Sequence, residues 1–266
     1  MSGASGRAFA LDEGPPVYYP SLPAAEVLRR VSGSFAAVLA EAVRTSSRAG
    51  TSEKVGFRRQ AFAAHRLAGR LAELNGLRLS VAGVPPRCPS VLVSNHLGYW
   101  DPLLLASLLP LVAIAKAELA SWPLLGFCGR ALGTLYVRRG DTQDGARVLR
   151  QALRRLLAGV HVLNFPEGTT TSGDEVLPFR RGLFGIAAKA RVAVVPVAMR
   201  LWPADAAWLG GEAFLPHYRR HWQRGARLEA SIRFGRPLQP SDFSTAQACA
   251  YQARLEVQGL LGRSGA

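Results

Sequence analysis

Residues 91–102 read Val91-Leu92-Val93-Ser94-Asn95-His96-Leu97-Gly98-Tyr99-Trp100-Asp101-Pro102. A short apolar, β-branched run passes into polar residues and a glycine, then into Asp-Pro ahead of the apolar stretch Leu103–Leu109. That order predicts a buried strand, a turn and a helix start, because Gly98 permits a bend and Pro102 suits a first helical turn. Further short apolar runs lie on either side, at Leu77–Val81, Thr134–Val137, Val160–Phe165, Val192–Ala198 and Leu228–Phe234. Helical stretches fall between several of them, at Thr142–Leu157 and Leu183–Ala190 as well as Leu103–Leu109. Strands alternating with helices predict an α/β domain, a mostly parallel or mixed sheet flanked by helices. Ligand sites in such domains collect where the strands end.

Upstream the rhythm is helical. Ala24, Val27, Leu28, Val31, Phe35, Val38, Leu39 and Ala42 recur with a 3.6-residue period, and a second helix spans Glu53 to Leu74 before the stop signal Asn75-Gly76. The chain therefore divides into a loose leader over 1–20, an amphipathic two-helix element over 21–75 and the α/β domain over 76–266. Two readings of the two-helix element stay open: a hairpin packed on the main domain, or a basic platform lying in a membrane interface with arginines among lipid phosphates.

Composition narrows the classes. With 266 residues, 48% hydrophobic and 19% charged, the chain is globular and holds one large domain. Lys54, Lys116 and Lys189 are the only lysines among 33 basic residues, leaving 30 arginines against 18 acids and a net charge of +15. Such a chain is drawn to anions: nucleic acid, an acidic leaflet or a phosphorylated substrate. No nucleic-acid reading motif accompanies the charge. Cys88, Cys128 and Cys249 lack CxxC spacing and read as reduced thiols. The uncharged run Pro102–Ala115 falls short of the roughly 20 residues of a spanning helix and is interrupted by Pro110, so it predicts a buried or interfacial helix and no transmembrane span. The amino terminus shows no secretory signal. His217 and His221 have helical metal-ligand spacing but no third ligand, and no metal is expected.

His96 and Asp101 stand five apart, about 140° round an uninterrupted helix, so only a strand-to-helix turn makes them face each other. Asp101 also suits a helix cap, a job compatible with orienting an imidazole. A histidine held by a carboxylate is suited to take a hydroxyl proton. With no G-x-S-x-G motif and no partnered cysteine, that hydroxyl belongs to the substrate. A second strand ends in Phe165-Pro166-Glu167-Gly168-Thr169-Thr170, turn chemistry rich in polar groups. A third ends in Arg138-Arg139, offering the bidentate donors that phosphate oxygens favour, although Arg138 also reads as a solvated corner.

In this order the blocks Asn95 to Asp101, Gly133 to Arg139, Phe165 to Thr169 and Val194 to Val197 resemble the membrane-associated glycerolipid acyltransferases of the PlsC (1-acyl-sn-glycerol-3-phosphate) type. The resemblance covers Gly76 to Phe234 and includes Lys116-Ala-Glu-Leu and Leu177-Pro-Phe-Arg-Arg-Gly. It implies transfer of a fatty acyl group from acyl-CoA or acyl carrier protein to a lysophospholipid hydroxyl at the cytoplasmic face of a membrane. No cofactor and no acyl-enzyme are implied. His96 and Asp101 would be the catalytic pair, Lys116, Arg138 and Arg139 would hold the acceptor's phosphate, and Asn95, Glu167, Gly168, Thr169, Thr170 and Pro196 would complete the substrate site. Backbone N–H groups near Gly98 would steady the oxyanion. The leading acceptor is 1-acyl-sn-glycerol-3-phosphate. Thr170 stands where the phosphatidate-forming branch often has arginine, so another lysolipid such as lyso-ornithine lipid is the alternative, with Arg180 and Arg181 as replacement cations. A non-catalytic lipid- or nucleic-acid-binding protein is the remaining alternative.

Overall fold

The computed structural model describes residues 23–46, 52–209, 212–223 and 228–262. The expected leader and the side chain of His221 lie outside the described residues. Two helices open the chain, α1 (Ala24–Ser46) and α2 (Glu53–Leu74). They are followed by β1 (Arg78–Ala82), β2 (Val91–Ser94), α3 (Trp100–Leu108), β3 (Leu111–Lys116), α4 (Pro123–Ala131) and β4 (Leu135–Val137). Then come α5 (Thr142–Leu157), β5 (His161–Asn164), α6 (Gly182–Ala190), β6 (Val194–Trp202), α7 (Phe214–Gln223), β7 (Glu229–Phe234) and α8 (Ala246–Gly262).

The seven strands form one mixed sheet in the order β1-β7-β6-β2-β5-β3-β4. From β6 to β4 all neighbours are parallel, whereas β7 runs antiparallel to β6 and parallel to β1. The central strands β2 and β5 are apolar on both faces, as a parallel sheet covered on both sides requires. One core lies between the sheet and α5, α6 and α8, around Val148, Phe184 and Ala253. The other lies beneath α3, around Leu104, Leu105 and Leu163. Each fully buried leucine or phenylalanine there contributes about 1.5–3 kcal/mol.

The apolar run Pro102–Ala115 is not one helix. Leu109 turns extended (φ −155°, ψ 151°), Pro110 follows, and the rest becomes β3. A residue before proline is pushed out of the helical region, and proline supplies no amide to continue the turn.

The first two described helices differ in how much of their apolar surface they bury. α2 buries Ala61, Ala63, Leu67, Ala68 and Leu71, and its residues enter both core clusters, so it is part of the α/β body rather than a separate unit. α1 packs on it through Ala37, which clusters with Leu67 and Leu71, while the carboxylate of Glu41, 3% exposed, is shared by Arg66 of α2 and Arg44. Leu28, Phe35, Leu39 and Val43 remain exposed on α1 and fall within an arc of about 80°.

Candidate active site

The parallel strands all finish at one edge. Val93 pairs with Asn164 and Ala113 with Leu163, so the segments beyond β2, β5 and β3 emerge side by side, about 4.8 Å per strand apart. His96 follows β2, Glu167 follows β5, Lys116 closes β3, and Arg138 and Arg139 follow β4.

His96 and Asp101 meet. His96 Nδ1 lies 2.7 Å from Asp101 Oδ2, which also accepts the backbone N–H groups of Leu97 (2.6 Å) and Gly98 (2.9 Å). An oxygen already accepting two amides leaves the shared proton on Nδ1, so Nε2 is the basic nitrogen. Asp101 sits inside the first turn of α3 and does not cap it in the N-cap sense. It is fully buried, and its Oδ1 has no hydrogen-bond partner among the described residues. Such a group costs stability that a cap on the surface avoids. The imidazole stacks on Phe165 (centroids 4.0 Å apart, 13° between planes) and its side chain keeps 17% exposure. Its backbone is clamped at both ends: the N–H donates to Glu167 Oε2 (2.8 Å) and the carbonyl accepts Thr171 N–H (2.8 Å).

Several expected contacts resolve differently. The Leu97 and Gly98 amides are taken by Asp101, so they do not form the oxyanion donors expected near Gly98. Asn95 is fully buried and does not face a substrate: its amide donates to Met199 O (2.9 Å) and its Oδ1 accepts Met199 N–H (2.9 Å), fastening the turn to β6. Glu167 is a brace as well, its Oε1 accepting Leu177 N–H at 3.0 Å while Oε2 holds His96. Burial pushes the Glu167 carboxyl above its ordinary range, and those two amides pull it back. Pro196 is buried within the sheet, level with Val93 and three residues short of the turn, so it does not wall the site. Arg138 is exposed, its N–H donating to Asp144 Oδ2 (2.7 Å), and it belongs to the solvated corner.

Lys116 is half-buried at the end of β3, and Thr169 and Thr170 are accessible on the turn. Gly168 adopts φ +76°, and a Cβ there would lie 2.9 Å from the Arg180 Cζ. The Arg180 guanidinium is therefore laid against the Pro-Glu-Gly turn. Burial chiefly, and the Arg180 charge next, hold the Arg139 pKa below its ordinary value, with Glu118 opposing.

Three contributors were given no role of their own in the sequence reading. Phe165 supplies the ring under His96, Leu177 supplies an amide to Glu167, and Trp208 covers the turn from outside. Trp208 N–H donates to Leu97 O (2.7 Å), and a Cβ on Gly98 would stand 3.1 Å from the Trp208 Cβ. Gly98 is thus required by this close approach rather than by an unusual φ. Hydropathy gives no signal for Trp208, which comes from a loop over a hundred residues downstream. His217, 1% exposed, lies 3.0 Å from Tyr99 Oη through Nδ1 and 3.3 Å from Ala207 O through Nε2.

Beside Leu97 opens a cavity of about 660 Å3 bordered by Val176, Met199, Leu201 and Leu261. A smaller apolar cavity of about 180 Å3 lies between α2, α3 and β3, walled by Leu67, Leu71 and Leu103.

Residues 79–200 match the Acyltransferase family model. The chain is 36% identical over 195 residues to the lyso-ornithine lipid O-acyltransferase of Pseudomonas aeruginosa, covering 71% of this chain and 74% of that protein. It is 35% identical over 136 residues to the 1-acyl-sn-glycerol-3-phosphate acyltransferase of Neisseria gonorrhoeae, covering 50% and 53%. The crystal structure of the 1-acyl-sn-glycerophosphate acyltransferase PlsC from Thermotoga maritima superposes with a TM-score of 0.66 at 20% identity, over 91% of this chain and 97% of that one, a likeness of fold.

Proposed function

Because this chain belongs to the acyltransferase family, we propose that its His96 acts as the general base in moving a fatty acyl group onto the free hydroxyl of a lysolipid. The donor is a thioester, acyl-CoA or acyl carrier protein. The acceptor hydroxyl gives its proton to His96 Nε2 as its oxygen attacks the thioester carbonyl. The tetrahedral intermediate collapses, the C–S bond breaks, and the departing sulfur takes the proton back from Nε2. Asp101 acts through the ring as a positioning residue, fixing the tautomer and the rotamer. The observation that carries this course is the 2.7 Å contact from His96 Nδ1 to a buried carboxylate oxygen already loaded with two amides.

Two acceptors compete for the head-group assignment. Lyso-ornithine lipid is favoured by the length of the match to the Pseudomonas protein and by the uncharged Thr170. Lysophosphatidate is favoured by the cations Lys116 and Arg139 at the same edge. Either acceptor is membrane-borne, and the exposed apolar stripe of α1 suits docking on an anionic leaflet.

Purified protein assayed with both acceptors tests the chemistry. His96→Ala is expected to lower kcat by roughly 10²–10⁴-fold with little change in acceptor KM. Turnover undiminished in that variant removes His96 from the base role.

A further inference from the structure

The catalytic turn is held from outside by a segment that follows β6 and runs into α7, beyond the family-matched residues 79–200. His217 of α7 is 1% exposed, and its ring spans two partners, Tyr99 Oη at 3.0 Å from Nδ1 and Ala207 O at 3.3 Å from Nε2. A carbonyl only accepts, so Nε2 carries the hydrogen and Nδ1 accepts the Tyr99 hydroxyl. Burial pushes that hydroxyl above its ordinary range, so it keeps the proton it donates. Ala207 O belongs to the same peptide unit as the Trp208 N–H, which donates to Leu97 O at 2.7 Å. Leu97 O belongs in turn to the same peptide unit as the Gly98 N–H, which donates to Asp101 Oδ2 at 2.9 Å. Every donor from Tyr99 onward points the same way, and the chain ends on the oxygen that holds His96 Nδ1 at 2.7 Å. Hydrogen bonds aligned through peptide units polarise one another and strengthen the last donor. Asp101 Oδ1 has no hydrogen-bond partner among the described residues, so that strengthening falls on Oδ2.

We propose that His217 is a positioning residue for acyl transfer: through the Ala207–Trp208 and Leu97–Gly98 peptides it locks and polarises the Asp101 carboxylate that orients the His96 ring. It acts through peptide groups rather than on the reacting atoms. The brace grips the turn at both neighbours of Gly98, at Leu97 through its carbonyl and at Tyr99 through its hydroxyl. Gly98 is the one residue of the turn without a side chain, and so gripped its amide does not swing away from Asp101. Trp208 is itself steadied by its indole N–H on Glu212 O (2.8 Å), and its ring meets that of Tyr99 edge-on with centroids 5.8 Å apart. The assignment rests on the general-base reading of His96 above.

The test uses the full chain with His217→Leu, His217→Gln and the double variant Tyr99→Phe with His217→Leu. The control is Tyr218→Phe, which deletes a neighbouring hydroxyl that bonds Asn75 Oδ1. Initial rates are measured with lysophosphatidate and with lyso-ornithine lipid, alongside thermal midpoints. His217→Leu is expected to lower kcat about tenfold, the order of one hydrogen bond, with acceptor and donor KM little changed. His217→Gln keeps a donor for Ala207 O and is expected to recover part of the rate. The double variant removes both halves of a buried pair, so its midpoint is expected to return toward the parent's while kcat stays low. Tyr218→Phe is expected to keep the parent's kcat. Recovery of kcat together with the midpoint, an equal fall in Tyr218→Phe, or an unchanged kcat in His217→Leu reduces His217 to packing and overturns the proposal. NMR of the protein carrying nitrogen-labelled histidine reads the chain without turnover, with the His96 signal identified by its loss in His96→Ala. The His96 Nδ1 resonance is expected to move in His217→Leu and to hold still in Tyr218→Phe. If the parent acylates neither lipid, the reaction assignment falls, and movement or constancy of that resonance still decides whether His217 reaches the His96 ring.

Discussion

His161 opens β5 with 9% exposure, and burial pulls its imidazole down to about 4. A base whose folded pKa lies below its unfolded value of about 6.5 binds its proton more readily once the chain unfolds. Its contribution to stability is therefore present above pH 6.5 and lost as pH falls toward 4, by up to about 3 kcal/mol. In urea unfolding, His161→Leu is expected to flatten the pH dependence between 6.5 and 4 relative to the parent. A constant gap between the two proteins over that range would contradict the assignment. At this scale the pair His96 and Asp101 was legible in the sequence, because a strand, a glycine and Asp-Pro leave few ways to connect them. Asn95, Glu167 and Pro196 read as substrate contacts because the family resemblance implied it. Their engagement with Met199, Leu177 and the sheet depends on strand neighbours remote in the chain.

The helices α1 and α2 have similar sequence patterns and different fates. Periodicity gave an apolar face to each, and three-dimensional packing decided that α2 faces α3 and β3 while α1 keeps a stripe outward. Removing residues 1–75 would strip Ala61 and Ala68 from two cores, so point changes on α1 are the cleaner test of docking. Leu28→Ser, Phe35→Ser and Leu39→Ser combined are expected to weaken binding to anionic vesicles by about tenfold or more while the thermal midpoint stays near that of the parent. Unaltered vesicle binding would show that α1 is not the contact. β3 is one of the elements the sequence concealed, with α4, α7 and α8; an apolar hexapeptide behind a helix has no period of its own and only Pro110 marks the border.

Across the whole molecule the charge is one-sided, 33 basic against 18 acidic side chains, and no described helix is long and apolar enough to cross a membrane. Attachment to a bilayer would then combine the α1 stripe with long-range attraction that salt screens over a Debye length of about 10 Å at 0.1 M. Binding to anionic vesicles is expected to fall steeply between 0.05 and 0.5 M salt (roughly the range over which that length shrinks threefold), whereas residual binding to neutral vesicles stays level. Equal salt response for both would refute the electrostatic share. The parallel centre of the sheet was legible from alternating strands and helices; the reversed pair β1 and β7 was not, because strand direction at an edge is set by connections rather than by composition.

Three donors converge on Asp101 Oδ2: the His96 ring and the Leu97 and Gly98 amides. An incoming alcohol meets an imidazole whose tilt, tautomer and support are already settled, so the activation barrier carries little share for rearranging residues 95–101. Evolution could then exchange head groups at the rim, one salt-seeking arm at a time, and leave the proton-handling heart of the enzyme alone.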